Sequence, residues 1–136
     1  MKVAEVMTES PLTVEPDDTI GHADEIMVEH GIRQLPVVGD KELIGIITER
    51  DIRSFLSGRL FGTPQERDQA LSTKVAAIMT SQPISLSPDD ELRDAVELLI
   101  EQKIGGIPVV DEEEGLVGIV TYVDILRCFL ERLQEE

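Results

Sequence analysis

Gly45-Ile46-Ile47-Thr48-Glu49-Arg50-Asp51 returns later in the chain as Gly118-Ile119-Val120-Thr121-Tyr122-Val123-Asp124. Each copy reads as the end of a buried strand that runs straight into a helix. The run Leu43-Ile44-Gly45-Ile46-Ile47 is too short and too β-branched to be a helix of its own, and short apolar runs of that kind form strands. Thr48 ends the strand and Asp51 stands three residues on. A Thr at the N-cap with a carboxylate three residues later resembles a capping box, with Asp shorter than the usual Glu or Gln. In that role Thr48 accepts a backbone N–H and Asp51 faces the positive end of the helix dipole, which stabilises the turn by about 1 kcal/mol. The same geometry suits a ligand. A strand-to-helix turn presents free N–H groups to a phosphate, and a short hydroxyl adds a hydrogen bond. A carboxylate one turn away can accept from both hydroxyls of a ribose, as the acidic residue of dinucleotide sites does. One heptad leaves capping and ligand binding both open. Its recurrence in matching surroundings shifts the balance towards a ligand.

Those surroundings are a duplication. Shifted by 72 positions, Val3–Val38 lies over Val75–Val110 without a gap, and 15 of 36 pairs are identical. One extra residue in Asp111-Glu112-Glu113-Glu114-Gly115 moves the shift to 73, and Leu43–Leu56 then lies over Leu116–Phe129 with six of 14 identical. A unit of roughly 55 residues rarely stands alone, so two copies are expected to pack on each other. The expected division is residues 1–57 and 75–136 as the two copies, with 58–74 as a linker marked by Gly58, Gly62 and Pro64. A helical stretch from Pro64 to Leu71 is open within that linker.

Each copy can be read in order. Val3–Met7 and Val75–Met79 are short helical turns, and Thr8–Pro11 is a loop. Leu12-Thr13-Val14 and Ile84-Ser85-Leu86 are brief strands. A helix follows from Pro16 to about His30, and its counterpart starts with Ser87 at the N-cap and Pro88 at N1. Ile20, Ala23, Ile26, Met27 and His30 recur at helical spacing, as do Leu92, Ala95, Val96, Leu98 and Leu99, so both stripes are expected in the core. Leu35-Pro36-Val37-Val38 and Ile107-Pro108-Val109-Val110 are strands entered through a proline. After a turn comes the strand of the heptad, then a closing helix over Glu49–Leu56 or Tyr122–Leu133. The order is β-α-β-β-α in each copy, an α/β (α+β) class.

Composition narrows the function. Net charge is −16, and aromatic residues are 3% with no Trp. Such a chain is repelled by nucleic-acid phosphates and anionic membranes and offers little surface for stacking bases. Residues 1–56 carry 5 basic and 12 acidic side chains, and residues 75–136 carry 4 and 14. Local cations for an anionic ligand therefore lie mostly in the first half. Cys128, the single cysteine, falls at an apolar position of the last helix and is expected to be a buried inert thiol. His22 and His30 lack metal-like partners, and no metal site is expected. There is no paired His-Ser or Cys-His arrangement and no Walker loop, so no catalysis is expected. The first residues lack the apolar region of a signal peptide, and no run approaches the roughly eighteen apolar residues of a membrane span. The expected location is the cytoplasm.

The ordered set of motifs resembles the cystathionine-β-synthase-type (CBS) domain, two in tandem, the arrangement called a Bateman module. The resemblance rests on Val-Met-Thr at Val6–Thr8 with its counterpart Ile78–Thr80, on the Leu-Pro-Val-Val and Ile-Pro-Val-Val strands, and on the heptads. It covers nearly the whole chain and leaves no catalytic domain or transporter segment over, as in stand-alone members. The resemblance implies two β-α-β-β-α units packed sheet to sheet with pseudo-two-fold symmetry, and a homodimer formed through the helices. It implies a cleft between the units for adenosine-containing ligands (AMP, ADP, ATP, S-adenosylmethionine or NAD), with occupancy passed to a regulated partner protein. Carried over by position, Asp51 and Asp124 would bind ribose hydroxyls, and Thr48 and Thr121 would meet phosphates. Thr13 and Val14, or Ser85 and Leu86, would edge the adenine. Arg33, Gln34, Leu35 and Pro36, or Gly105, Gly106, Ile107 and Pro108, would line the other wall.

The two copies are not equal. The first has Arg33 and Arg50, each open to a phosphate or to surface ion pairing. The second has Gly105 and Val123 at those places, with Tyr122 beside Thr121 as a stacking partner or a rim aromatic. That second site would hold a nucleoside or dinucleotide, borrow an arginine from elsewhere, or stand empty. The competing reading is a structural pairing module whose pockets no longer bind a ligand.

Overall fold

The structure is a computed structural model that describes residues 1–59 and 62–136. Residues 60 and 61, within the expected linker, lie outside the described residues. The chain forms β1 (Thr8–Glu9), α1 (Ile20–His30), β2 (Gln34–Gly39), β3 (Glu42–Thr48), α2 (Glu49–Leu56), α3 (Pro64–Leu71), β4 (Thr80–Ser81), α4 (Leu92–Gln102), β5 (Gly106–Val110), β6 (Leu116–Thr121) and α5 (Tyr122–Gln134). Short 3-10 turns at Val3–Glu5 and Val75–Ala77 precede β1 and β4. The strand-to-helix switch falls between Thr48 and Glu49 and between Thr121 and Tyr122, as the heptads predict.

The fold is mixed α/β with two antiparallel three-stranded sheets, ordered β2-β3-β4 and β1-β6-β5. Two compact units result. One comprises residues 12–82, the other residues 1–11 with 83–136. The opening segment of each sequence copy is thus built into the unit that holds the rest of the other copy. Thr8 pairs with Ile119 on β6, and Thr80 pairs with Ile46 on β3. The expected loop at Thr8–Pro11 is therefore in part a strand.

Residues 12–82 pack Val14, Ile20, Ala23, Met27, Leu35, Val37, Ile47, Ile52, Leu56, Ala70 and Val75 into one core. In the other unit Val3, Leu86, Ala95, Leu99, Ile107, Val109 and Val120 do the same. Val3 and Val75 are each fully buried, so each opening segment is anchored in its unit by a Val. His30 departs from the expected stripe: it ends α1 and is exposed, while Ile26, Leu92, Val96 and Leu98 are only half-buried. Cys128 is half-buried rather than enclosed, with its Sγ 4.0 Å from Met1 Sδ.

Two expectations fail for identifiable reasons. Leu12–Val14 and Ile84–Leu86 are not strands. Only Val14 and Leu86 bridge, in parallel, to Val37 and Val109. Val14 donates to the Pro36 carbonyl at 3.1 Å and accepts from Val38 at 2.9 Å, and the ladder stops there because the next donors on either side would be Pro36 and Pro16. A proline has no N–H to extend it; Pro108 and Pro88 do the same around Leu86. Neither does the first helix of each copy begin at Pro16 or Pro88. It begins four residues later, at Ile20 and Leu92. The Asp18 carboxylate takes the Glu15 amide at 2.8 Å, and Asp90 takes the Ser87 amide at 2.8 Å. The carbonyls of Pro16 and Asp18 accept from Ala76 and Val75, and those of Pro88 and Asp90 accept from Ala4 and Val3. These carbonyls are spent on the incoming segment, so the helix starts after them, with Thr19 capping His22 at 3.1 Å. Lys2 fastens the second of these junctions through Glu91 at 2.6 Å. That hydrogen bond and charge pairing raise the Lys2 pKa and lower that of Glu91.

The closest approach in each sheet is at the heptad glycine. A Cβ on Gly45 would lie 2.6 Å from Met79 Sδ and 2.9 Å from the Thr80 carbonyl oxygen; on Gly118 it would lie 2.6 Å from Met7 Sδ and 3.0 Å from the Thr8 oxygen. The methionine can move, but the carbonyl belongs to the paired strand. Gly45→Ala is therefore expected to destabilise the fold by about 1–3 kcal/mol, the usual range for overpacking. Adding Met79→Ala should not restore the loss, because the carbonyl clash remains. Urea unfolding of the single and double variants checks this, and full recovery in the double variant would assign the constraint to the sulfur alone.

Candidate functional site

Each set of candidate residues lies wholly within one compact unit. In residues 12–82 the set is built around the start of α2. Thr48 closes β3 with extended backbone and caps the helix: the Asp51 amide donates to Thr48 Oγ1 at 3.1 Å, and the Thr48 amide donates to Asp51 Oδ2 at 2.9 Å. The Arg33 carbonyl accepts from the Glu49 amide at 2.9 Å, which brings the residue before β2 to the helix N-terminus. Two of the first three helical amides thus already have acceptors, fewer than the open turn expected for a phosphate.

Side chains around this turn differ in availability. Asp51 is half-buried. Oδ1 has no hydrogen-bond partner among the described residues, and no buried side-chain oxygen or nitrogen among them lacks a partner, so Oδ1 is open to solvent. The hydroxyl proton of Thr48 is likewise uncommitted among the described residues. Arg33 Nε lies 3.6 Å from Glu49 Oε2, and Arg53 also pairs with Glu49. The surface-pairing alternative thus describes Arg33. Arg50 is exposed and has no carboxylate partner within 4.0 Å among the described residues. Gln34 opens β2, half-buried, and Thr13 is exposed beside the Val14 bridge. Val14, Leu35 and Pro36 are buried in the core, so only their backbone groups are left to edge a base.

The second set is built around the start of α5 and is more closed. The Thr121 amide and hydroxyl both donate to Asp124 Oδ2, at 2.8 and 3.1 Å, and the Asp124 amide returns a bond to Thr121 Oγ1 at 3.3 Å. Thr8 Oγ1 donates to Asp124 Oδ1 at 2.9 Å, and Arg127 Nη1 lies 3.9 Å from the same oxygen. Asp124 is only 7% exposed. The Gly105 carbonyl accepts from the Tyr122 amide at 3.2 Å, matching Arg33 in the other set. Leu86, Gly106, Ile107 and Pro108 are buried and Gly105 is half-buried. Ser85 is exposed, and Tyr122 stands 41% exposed at the rim. Thr8 is the participant that sequence reasoning missed. Its only signal was membership of the repeated Val-Met-Thr motif.

Among the described residues, no group of three or more His, Cys, Asp or Glu side chains could hold a metal ion, and no helix is long and apolar enough to cross a membrane.

A model of the CBS domain matches residues 3–58 and 75–131. The chain belongs to the CBS-domain family. It is 35% identical over 127 residues to inosine-5'-monophosphate dehydrogenase of Methanocaldococcus jannaschii, covering 93% of this chain but only 23% of that enzyme. The fold superposes with a TM-score of 0.82 on CBSX2 of Arabidopsis thaliana in complex with AMP, at 28% identity over 96% of each chain. It superposes equally, with a TM-score of 0.82, on the CBS domain pair of protein MJ0100 in complex with 5'-methylthioadenosine and S-adenosyl-L-methionine. There the identity is 29%, over 97% of this chain and 98% of that one.

Asp124 carries several charge-assisted bonds in a buried setting and Asp51 carries one in a half-open setting. Hydrogen bonds to charged groups contribute about 1.5–3 kcal/mol each. Asp124→Ala is thus expected to destabilise the chain by about 1–2 kcal/mol more than Asp51→Ala, read from urea midpoints at constant m. Equal losses would mean that the extra bonds from the Thr8 and Thr121 hydroxyls and the Arg127 ion pair together contribute nothing.

Proposed function

We propose that the chain is a regulatory module, not an enzyme, that binds an adenosine-containing ligand and passes its occupancy to a partner protein. The candidate ligands are AMP, ADP, ATP, S-adenosylmethionine and NAD, acting as signals rather than catalytic cofactors. The observation that carries this reading is the Thr48–Asp51 turn, where among the described residues one carboxylate oxygen is open, the Thr48 hydroxyl proton is uncommitted and Arg50 has no carboxylate partner. It occurs in a fold whose solved relatives include complexes with AMP and with 5'-methylthioadenosine and S-adenosyl-L-methionine. Asp51 would accept from the ribose hydroxyls, and Thr48 and Arg50 would meet a phosphate. Thr13, Val14, Gln34, Leu35 and Pro36 would contact the base largely through backbone groups. In this reading residues 58–74 link two sequence repeats.

Thermal unfolding against that ligand panel tests the proposal. A ligand at a hundred times its dissociation constant should add about 2.7 kcal/mol, several degrees in Tm for a chain of this size. The shift should disappear in Asp51→Ala. A panel without any shift would favour the runner-up, a pairing module whose pockets no longer bind.

One feature supports pairing in either case. Helix α5 leaves Tyr122, Leu126, Phe129, Leu130 and Leu133 between 41% and 59% exposed. They recur at spacings of four, three, one and three residues, which places them along one helical face. We propose a second copy of this chain as its cover, a homodimer. The stripe is uncharged, whereas two chains of net charge −16 would repel elsewhere. Light scattering at micromolar concentration should give twice the chain mass, and Leu126→Glu with Phe129→Glu should halve it. A wild-type monomer would refute the homodimer.

A further inference from the structure

The two Thr-x-x-Asp turns share a backbone geometry but differ in what their carboxylates already hold. A carboxylate offers about four lone-pair positions. At Asp124 three of these are met, by the Thr121 amide at 2.8 Å, the Thr121 hydroxyl at 3.1 Å and the Thr8 hydroxyl at 2.9 Å, and the Arg127 guanidinium adds a looser ion pair at 3.9 Å. At Asp51, among the described residues, the Thr48 amide at 2.9 Å is the one donor. The bond from Thr8 has the form a ribose would use: an aliphatic hydroxyl donating to the outer carboxylate oxygen. It reaches Asp124 because β1 is annealed to β6, with Thr8 opposite Ile119, five residues before Asp124. Thr80 occupies the equivalent register opposite Ile46, five residues before Asp51, yet makes no bond to Asp51 among the described residues.

We infer that Thr8 is an internal stand-in for a ribose hydroxyl, which closes the Thr121–Asp124 turn to ligand and leaves the Thr48–Asp51 turn as the chain's one ready nucleoside site. This rests on the reading of the chain as an adenosine-ligand module and assigns that function to one turn of the two. A nucleoside at Asp124 would have to displace the Thr8 hydroxyl and enter a position that is 7% exposed. It would also find Gly105 and Val123 where the other turn has Arg33 and Arg50. Replacing one charge-assisted protein hydrogen bond with another gains little, whereas an open carboxylate gives up only water and keeps the net gain of the new bond. Thr8 thereby sets stoichiometry through its own turn alone.

Calorimetric titration of the full chain with AMP tests this, with Asp51→Ala, Asp124→Ala, Thr8→Val, Thr8→Ala and Thr80→Val alongside. The wild type should take up one AMP per chain, lost in Asp51→Ala and kept in Asp124→Ala. Thr8→Val keeps the shape of β1 and removes the hydroxyl; Thr8→Ala also opens space. Either should bring in a second AMP or tighten a weak second event by about tenfold, the size of one such hydrogen bond. Thr80→Val should leave the stoichiometry at one. Two equal events in the wild type, or binding lost in Asp124→Ala and kept in Asp51→Ala, would overturn the inference while leaving the ligand-module reading intact. So would Thr8 variants that fold, by circular dichroism, and still take up a single AMP with no weaker second event. If AMP, ADP, ATP, S-adenosylmethionine and NAD all fail to bind the wild type, the module reading falls and this inference falls with it. The wild-type and aspartate comparisons decide the asymmetry even if a Thr8 variant does not fold.

Discussion

The close approach of a methionine-bearing segment to a strand glycine is the constraint on which the rest depends. Met79 lies against Gly45 and Met7 against Gly118, with the Thr80 and Thr8 carbonyls alongside, at distances no side chain would tolerate. That contact lets β4 pair with β3 and β1 pair with β6, completing two sheets that would otherwise have two strands each. A two-stranded hairpin is marginal in water. The third strand is only two residues long in each case, so it cannot hold itself in place by ladder bonds. The buried Val before it, Val75 or Val3, and the amides of the 3-10 turn that bond to the Pro16–Asp18 or Pro88–Asp90 carbonyls complete the attachment. The turn and the strand of each opening segment therefore grip two separate parts of the same unit.

How much of this is legible in the sequence depends on how local the cause is. The Thr48 and Thr121 boundaries were readable because a β-branched run, a capping hydroxyl and a carboxylate all lie within seven residues. Helix α3, left open in the sequence, does form, with Thr63 capping Glu66 at 3.1 Å and Pro64 at the first helical position. The starts of α1 and α4 were not readable. Asp18 and Asp90 look like first-turn acids, and nothing local reveals that Val75 and Val3 will claim their carbonyls. The pairing of β1 and β4 was invisible too, since two residues have no periodicity to read.

The candidate site divides along the same line. The residues named at the Thr48 turn and at the Thr121 turn each lie within a single unit, as their order in the repeat leads one to expect. The difference in charge was also legible, because Arg33 and Arg50 face Gly105 and Val123 under the repeat shift. The difference in hydrogen bonding was not. Thr8 and Thr80 are identical under that shift, and so are Asp124 and Asp51 under theirs, yet only one pair is bonded. That bond spans 116 positions. It depends on side-chain rotation in a strand pair, which duplication leaves free to drift.

A carboxylate that caps a helix and also serves a ligand has two competing obligations. At Asp51 the N-cap bond uses Oδ2 and leaves Oδ1 free among the described residues, so a ligand bound there would add to the folded structure without dismantling it. At Asp124 both oxygens are engaged and the side chain is buried, so the same residue serves stability first. A duplicated sensor gains from such a division. One copy of the turn can be given to holding β1 against β6, which secures the opening segment, while the other keeps its carboxylate half-open beside an arginine that has no carboxylate partner among the described residues. The capping box at α2 is complete, so the only bond forgone there is the one Asp51 Oδ1 could make, and that cost is confined to one helix of eight residues. The inequality of the two turns would in that case follow from sharing stability and recognition between repeats that began alike.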